Sequence, residues 1–96
     1  MLIDEIRNQK ALIQSIAHQY GANRIRVFGS VSKGEDRSDS DVDFLVSLPV
    51  GYDLFAQRLP LAEKLSELLA RKVDLFPEHE LNQHIRQRVL DEAVDL

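Results

Sequence analysis

The sequence has no cysteine, which excludes disulfides and thiolate metal sites and fits a cytoplasmic location. It has no apolar run approaching the roughly 20 residues that span a bilayer. The opening Met1-Leu2-Ile3-Asp4-Glu5 lacks the basic flank and apolar stretch of a signal peptide. No membrane role is expected. Basic residues are also in deficit, with 12 Lys and Arg against 16 Asp and Glu and a net charge of -4. Glu35, Asp36, Asp39, Asp41 and Asp43 crowd one short segment with only Arg37 against them. Such a cluster repels phosphates unless cations intervene, so direct nucleic-acid binding is not expected.

What is present describes an ordinary globular chain, 44% hydrophobic and 29% charged. Its 96 residues are expected to form one domain over 1–96, burying roughly 60–70% of the unfolded chain's surface.

Leu2, Ile6, Ile13, Ile16, Ala17 and Tyr20 fall near helical spacing, which predicts an amphipathic helix over 3–20 closed by Gly21. Arg24-Ile25-Arg26-Val27-Phe28 alternates and runs into Gly29-Ser30, a strand entering a turn. Residues 31–40 are polar and read as a loop or one short helical turn. A second strand, 42–48, is stopped by Pro49 and Gly51. Asp53 caps a leucine-rich helix that Pro60 kinks or restarts. That leucine stripe, Leu54 to Leu69, reads as core rather than interface. A third strand, 72–76, ends at Pro77, and Leu81, Ile85, Val89, Leu90 and Ala93 mark a closing helix. The order α-β-α-β-α-β-α predicts an α/β fold: a short mixed sheet of about three strands flanked by helices, covered mainly on one face.

Strand alternation puts Asp41 and Asp43 on one face. Antiparallel pairing of the first two strands would bring Gly29 and Ser30 to those carboxylates. The helical link between the second and third strands suits parallel neighbours, which would set Asp74 beside Asp43. Three carboxylates this close need a cation, and Mg²⁺ takes oxygen ligands while substrate phosphates complete its shell. Two such ions can stabilise the attacking and leaving oxygens of a displacement at phosphorus. Gly29 admits a phosphate close to the backbone, Ser30 adds a hydroxyl, and the following turn presents N–H groups to an anion.

Gly29-Ser30, ten residues, then Asp41-Val42-Asp43 resembles the signature of the DNA polymerase β-like nucleotidyltransferase superfamily. Asp74, in Lys72-Val73-Asp74-Leu75, is similar to that family's third carboxylate. The length resembles the minimal nucleotidyltransferase group, whose members typically accompany a HEPN-domain toxin as its antitoxin. The resemblance implies that Asp41 and Asp43 bind two Mg²⁺ ions and that Asp74 helps bind the catalytic one and takes the acceptor proton. It implies that Gly29 and Ser30 hold the β- and γ-phosphates, and that AMP passes from ATP to a tyrosine of the partner toxin. The chain departs from many minimal members in having Ser32-Lys33-Gly34 where they carry Ala-Arg before the glycine. Lys33, a candidate phosphate contact, keeps the charge but not the bidentate fork of arginine.

Other readings of these residues fare worse. A calcium loop starting at Asp39 would need Gly and Glu where Phe44 and Val50 stand. A P-loop would need Lys and Ser or Thr where Glu35 and Asp36 stand. His18, His79 and His84 show no ligand-like spacing. Two functional alternatives remain open at this point. One is an antitoxin that neutralises a HEPN ribonuclease by binding alone. The other is transfer to a small molecule or RNA end, which generally needs a further domain to hold the acceptor. The sequence leaves the oligomeric state open.

Overall fold

The computed structural model describes residues 2–37 and 39–96; Ser38, within the expected loop, lies outside them. Three strands sit where alternation placed them: β1 (Ile25–Phe28), β2 (Val42–Val46) and β3 (Val73–Pro77). A fourth, β4 (Val94–Asp95), corrects the three-strand expectation. Two residues are too few to show alternation, and β4 is recognisable only through its pairing with β1 and the Arg24–Asp95 bridge at 3.0 and 2.7 Å.

The sheet order is β3-β2-β1-β4. β1 and β2 run antiparallel with Phe28 opposite Asp43, whereas β2 and β3 run parallel with Asp43 opposite Asp74. The helix between β2 and β3 accounts for the parallel pair, because a parallel crossover needs a long connection.

The expected helix over 3–20 is two helices, α1 (Leu2–Asn8) and α2 (Lys10–Gln19), separated at Gln9 by a tight turn onto Ile6 O at 3.1 Å. Gly21 ends α2 as expected, at φ +87°. The short helix expected between the first strands is reduced to hydrogen-bonded turns over 29–35. Asp53 caps as read, its carboxylate accepting from Phe55 N and Ala56 N at 2.9 Å each. It caps one wide π-helical turn, Leu54–Arg58, and Pro60 then sits in the first turn of α3 (Leu59–Leu69). A short 3₁₀ turn, Glu78–Glu80, precedes α4 (Gln83–Glu92).

The helices cover the sheet mainly on one face, as expected, with α4 on the other. Residues of α1, α2 and α3 bury Val27, Val42, Phe44, Val46, Val73 and Leu75 in the main core. On the other face α4 lays Val89 against Phe28 and Leu45. Only part of the leucine stripe is core. Leu61 and Leu65 are fully buried, but Leu54, Phe55 and Leu59 are exposed because the π-helical turn rotates that segment outward.

Candidate active site

Alternation along the strands assigns Asp43 and Asp74 to the face that carries α4, with Leu45, Phe28 and Phe76. Register then makes one row across the sheet: Phe28 at the end of β1, Asp43 on β2 and Asp74 on β3. Gly29 follows Phe28 directly, so the glycine-serine turn stands at one end of that row and Asp74 at the other. Beneath the row the rings of Phe28 and Phe76 meet edge-to-face, 5.3 Å between centroids.

The turn at Gly29 has two constraints. Its φ is +75°, a region that costs a residue with a side chain roughly 1–2 kcal/mol. A Cβ there would also stand 2.8 Å from Asp43 Oδ2. Glycine therefore makes room for the carboxylate itself, besides any ligand. Val31, fully buried, anchors the turn in the core. Ser32 Oγ donates to Gly29 O at 2.9 Å, and Glu35 N donates to Ser30 O at 2.9 Å.

The carboxylates influence one another. The Asp43 carboxyl is pushed above the usual carboxylate range, first by burial and then by the negative charges of Asp74 and Asp41. Asp41, just ahead of β2, is more exposed and leans toward Lys72 Nζ at 3.8 Å. The expected convergence is thus a row rather than a closed cage: among the described residues no three acidic or imidazole groups are drawn around one point. Like charges spread when only a lysine opposes them.

Lys33, read as a phosphate contact, bridges Glu92 of α4, Nζ to Oε1, at 3.0 Å. Sequence reading missed Glu92 in this position, and it missed Arg71. The Arg71 guanidinium donates to Arg37 O at 2.8 Å and to Ser40 O at 3.3 Å, fixing the segment that delivers Asp41. Val42 N donates to Lys72 O at 2.9 Å and continues that anchoring. No local pattern marks either contact, since each joins distant segments. The three histidines lie outside the row, and His79 meets the ring of Tyr52 at 6.0 Å.

The turn thus makes room for the partly buried Asp43 carboxylate, with Asp74 beside it on the adjacent strand and Asp41 just ahead of β2. Residues 10–96 match the model of the nucleotidyltransferase domain family, and the chain belongs to that family of enzymes. It is 37% identical over 81 residues to the protein adenylyltransferase MntA of Thermococcus cleftensis, covering 84% of this chain and 81% of that one. A solved structure provisionally named a minimal nucleotidyltransferase superposes over 100% of this chain and 97% of the other, with TM-score 0.86 and 38% identity. A solved toxin–antitoxin with AMP-PNP matches 90% of this chain and 70% of that one, with TM-score 0.76 and 27% identity.

Proposed function

We propose that this protein transfers the AMP moiety of ATP to a tyrosine hydroxyl of a partner HEPN toxin and thereby acts as its antitoxin. The observation that carries the reading is the row Gly29, Asp43, Asp74, in which an acidic face abuts a turn with no side chain in the way. The names of the relatives support the donor and the kind of partner: MntA is a protein adenylyltransferase, and the AMP-PNP structure is of a toxin–antitoxin.

The donor set suits Mg²⁺. It consists of carboxylate oxygens only, and the raised Asp43 marks charge that a cation would relieve. Asp41, Asp43 and Asp74 would hold it, in two ions by our reading, and bound Mg²⁺ would neutralise the phosphates and the charge that develops during displacement. This chain's own residues do the rest. Gly29 lets the triphosphate reach the backbone, Ser30 offers a hydroxyl, and the turn's leading N–H groups favour an anion. Lys33 reaches the phosphates by leaving Glu92. Asp74, at the far end of the row, takes the acceptor proton. The acceptor oxygen joins the α-phosphorus as the bond to the bridging oxygen breaks, and pyrophosphate leaves.

The test is nucleotide binding followed by transfer. Calorimetric titration of ATP with Mg²⁺ should give saturable binding, and Asp41→Asn with Asp43→Asn should abolish it. Binding that ignores both substitutions would remove the carboxylates from the reading.

A further inference from the structure

Asp43 and Asp74 stand on strands, where register sets their place. Asp41 stands one residue ahead of β2, at the end of an exposed acidic segment. None of the described residues from Glu35 to Asp41 is buried, so no apolar contact fixes that carboxylate. The Lys72 ion pair does not fix it either, since 3.8 Å between two exposed side chains contributes little. We infer that Arg71 is a positioning residue for the proposed metal site. Acting through the backbone, it determines where Asp41 stands relative to Asp43 and Asp74, and so how tightly the carboxylates hold a divalent cation. The inference rests on the transferase reading above.

At the far end of this tether Arg37 and Ser40 close on each other. Ser40 N donates to Arg37 O at 3.0 Å, and Arg37 N donates to Ser40 Oγ at 2.6 Å. Arg71 Nη1 donates to both of their carbonyls, at 2.8 Å to Arg37 O and 3.3 Å to Ser40 O. The Ser40 carbonyl shares a planar peptide with the Asp41 nitrogen, so fixing one fixes the other. On the other side of Asp41, Val42 N donates to Lys72 O at 2.9 Å. Asp41 is therefore held from both sides by consecutive residues, Arg71 and Lys72. The near end of the tether is rooted in α3. Ala70 closes that helix at φ +53°, Arg71 N donates to Ser66 O at 3.3 Å, and Ser66 Oγ donates to Arg71 O at 2.6 Å. Three residues beyond Arg71 the same stretch delivers Asp74 on β3. One segment, 66–74, thus places Asp74 through a strand and Asp41 through a guanidinium.

The sign of the effect separates positioning from charge. As a charge alone, Arg71 is a cation beside an acidic site and opposes a second cation, so its removal would tighten metal binding. As a tether it does the reverse. Without it Asp41 is free to move away from Asp43, as like charges do, and metal binding weakens. Removing a group that holds a metal ligand in place typically costs roughly 10–100-fold in metal affinity. The guanidinium presents its donors in a rigid plane, which a lysine ammonium on a flexible stem does not reproduce.

Electron paramagnetic resonance of Mn²⁺, titrated into the protein with α,β-methylene-ATP, reads occupancy without turnover. Arg71→Met removes the donors and the charge, and should weaken Mn²⁺ binding at least about tenfold. Arg71→Lys keeps the charge and should weaken it too, by less. Unchanged or tighter binding in Arg71→Met would overturn the inference. Should that variant fail to fold, Arg71→Lys decides, and wild-type affinity in it would overturn the inference equally. Amide hydrogen exchange of the metal-free proteins supplies a readout that a general loss of stability does not mimic. Exchange at Ser40 and Val42 should quicken in the variants, while exchange at Phe44 and Val46 inside β2 stays as in the wild type. A wild-type protein that takes up no Mn²⁺ would count against the transferase reading. Quickened exchange at Ser40 and Val42 would then still support Arg71 as the residue that places Asp41, and unchanged exchange would overturn it.

Discussion

On the face beneath α1, α2 and α3, β2 contributes Val42, Phe44 and Val46, each with no exposed surface. On the opposite face the same strand contributes Asp43 and Leu45, and only the small cluster of Phe28, Leu45 and Val89 is packed there. The charged Arg26 is buried on that second face as well, 7% exposed, with its Nε lacking a hydrogen-bond partner among the described residues. Alternation lets one strand serve both purposes, since each residue is committed to one side. The lesson is that stability is concentrated on one face. This leaves the other free to carry groups that cost folding energy, such as adjacent carboxylates.

The comparison breaks most visibly in the core. Phe44→Ala should destabilise the protein by about 3–5 kcal/mol, read by urea denaturation, because its ring is fully enclosed. A loss of the same size from Asp43→Ala would contradict the division between the faces. Next comes Gly29→Ala, expected to cost about 1–2 kcal/mol from its positive φ. The added Cβ also displaces the Asp43 carboxylate, so nucleotide affinity should fall further than stability does.

Asp43→Asn sharpens the comparison by sign. A carboxyl held above its ordinary range favours the folded state when protonated. That contribution is fully present below the unfolded pKa and lost as pH rises through the folded one. In buffer without divalent ions the variant should therefore melt higher than wild type at neutral pH, with the difference vanishing in acid. An unchanged or lower melting temperature at neutral pH would mean the face carries no such cost. The smallest effect lies away from both faces. Ala70 closes α3 at φ +53°, and Ala70→Gly should stabilise by about 0.5–1 kcal/mol by removing that strain.

Much of this organisation was legible in the sequence, for a physical reason. Gly29-Ser30 and Asp41 to Asp43 lie at the facing ends of two strands joined by one loop, so alternation and pairing sense nearly determine their meeting. Asp74 followed from the crossover rule. What escaped depends on contacts between segments with no local signal. Lys33 meets Glu92, and Arg71 reaches back to Arg37, 34 residues away. The exposure of Leu54 and Phe55 follows from a π-helical turn, which shifts the phase of a pattern that otherwise reads as core. β4 is too short for any periodicity to reveal.

The central claim is that the open face transfers a nucleotide to a protein. Its most direct test is intact-mass analysis of the candidate partner toxin after incubation with this protein, ATP and Mg²⁺. The partner should gain one AMP, and Asp41→Asn with Asp43→Asn should abolish that gain. A partner that is bound and inhibited equally by both forms, with no gain in mass, would contradict it and leave binding alone as the antitoxin activity.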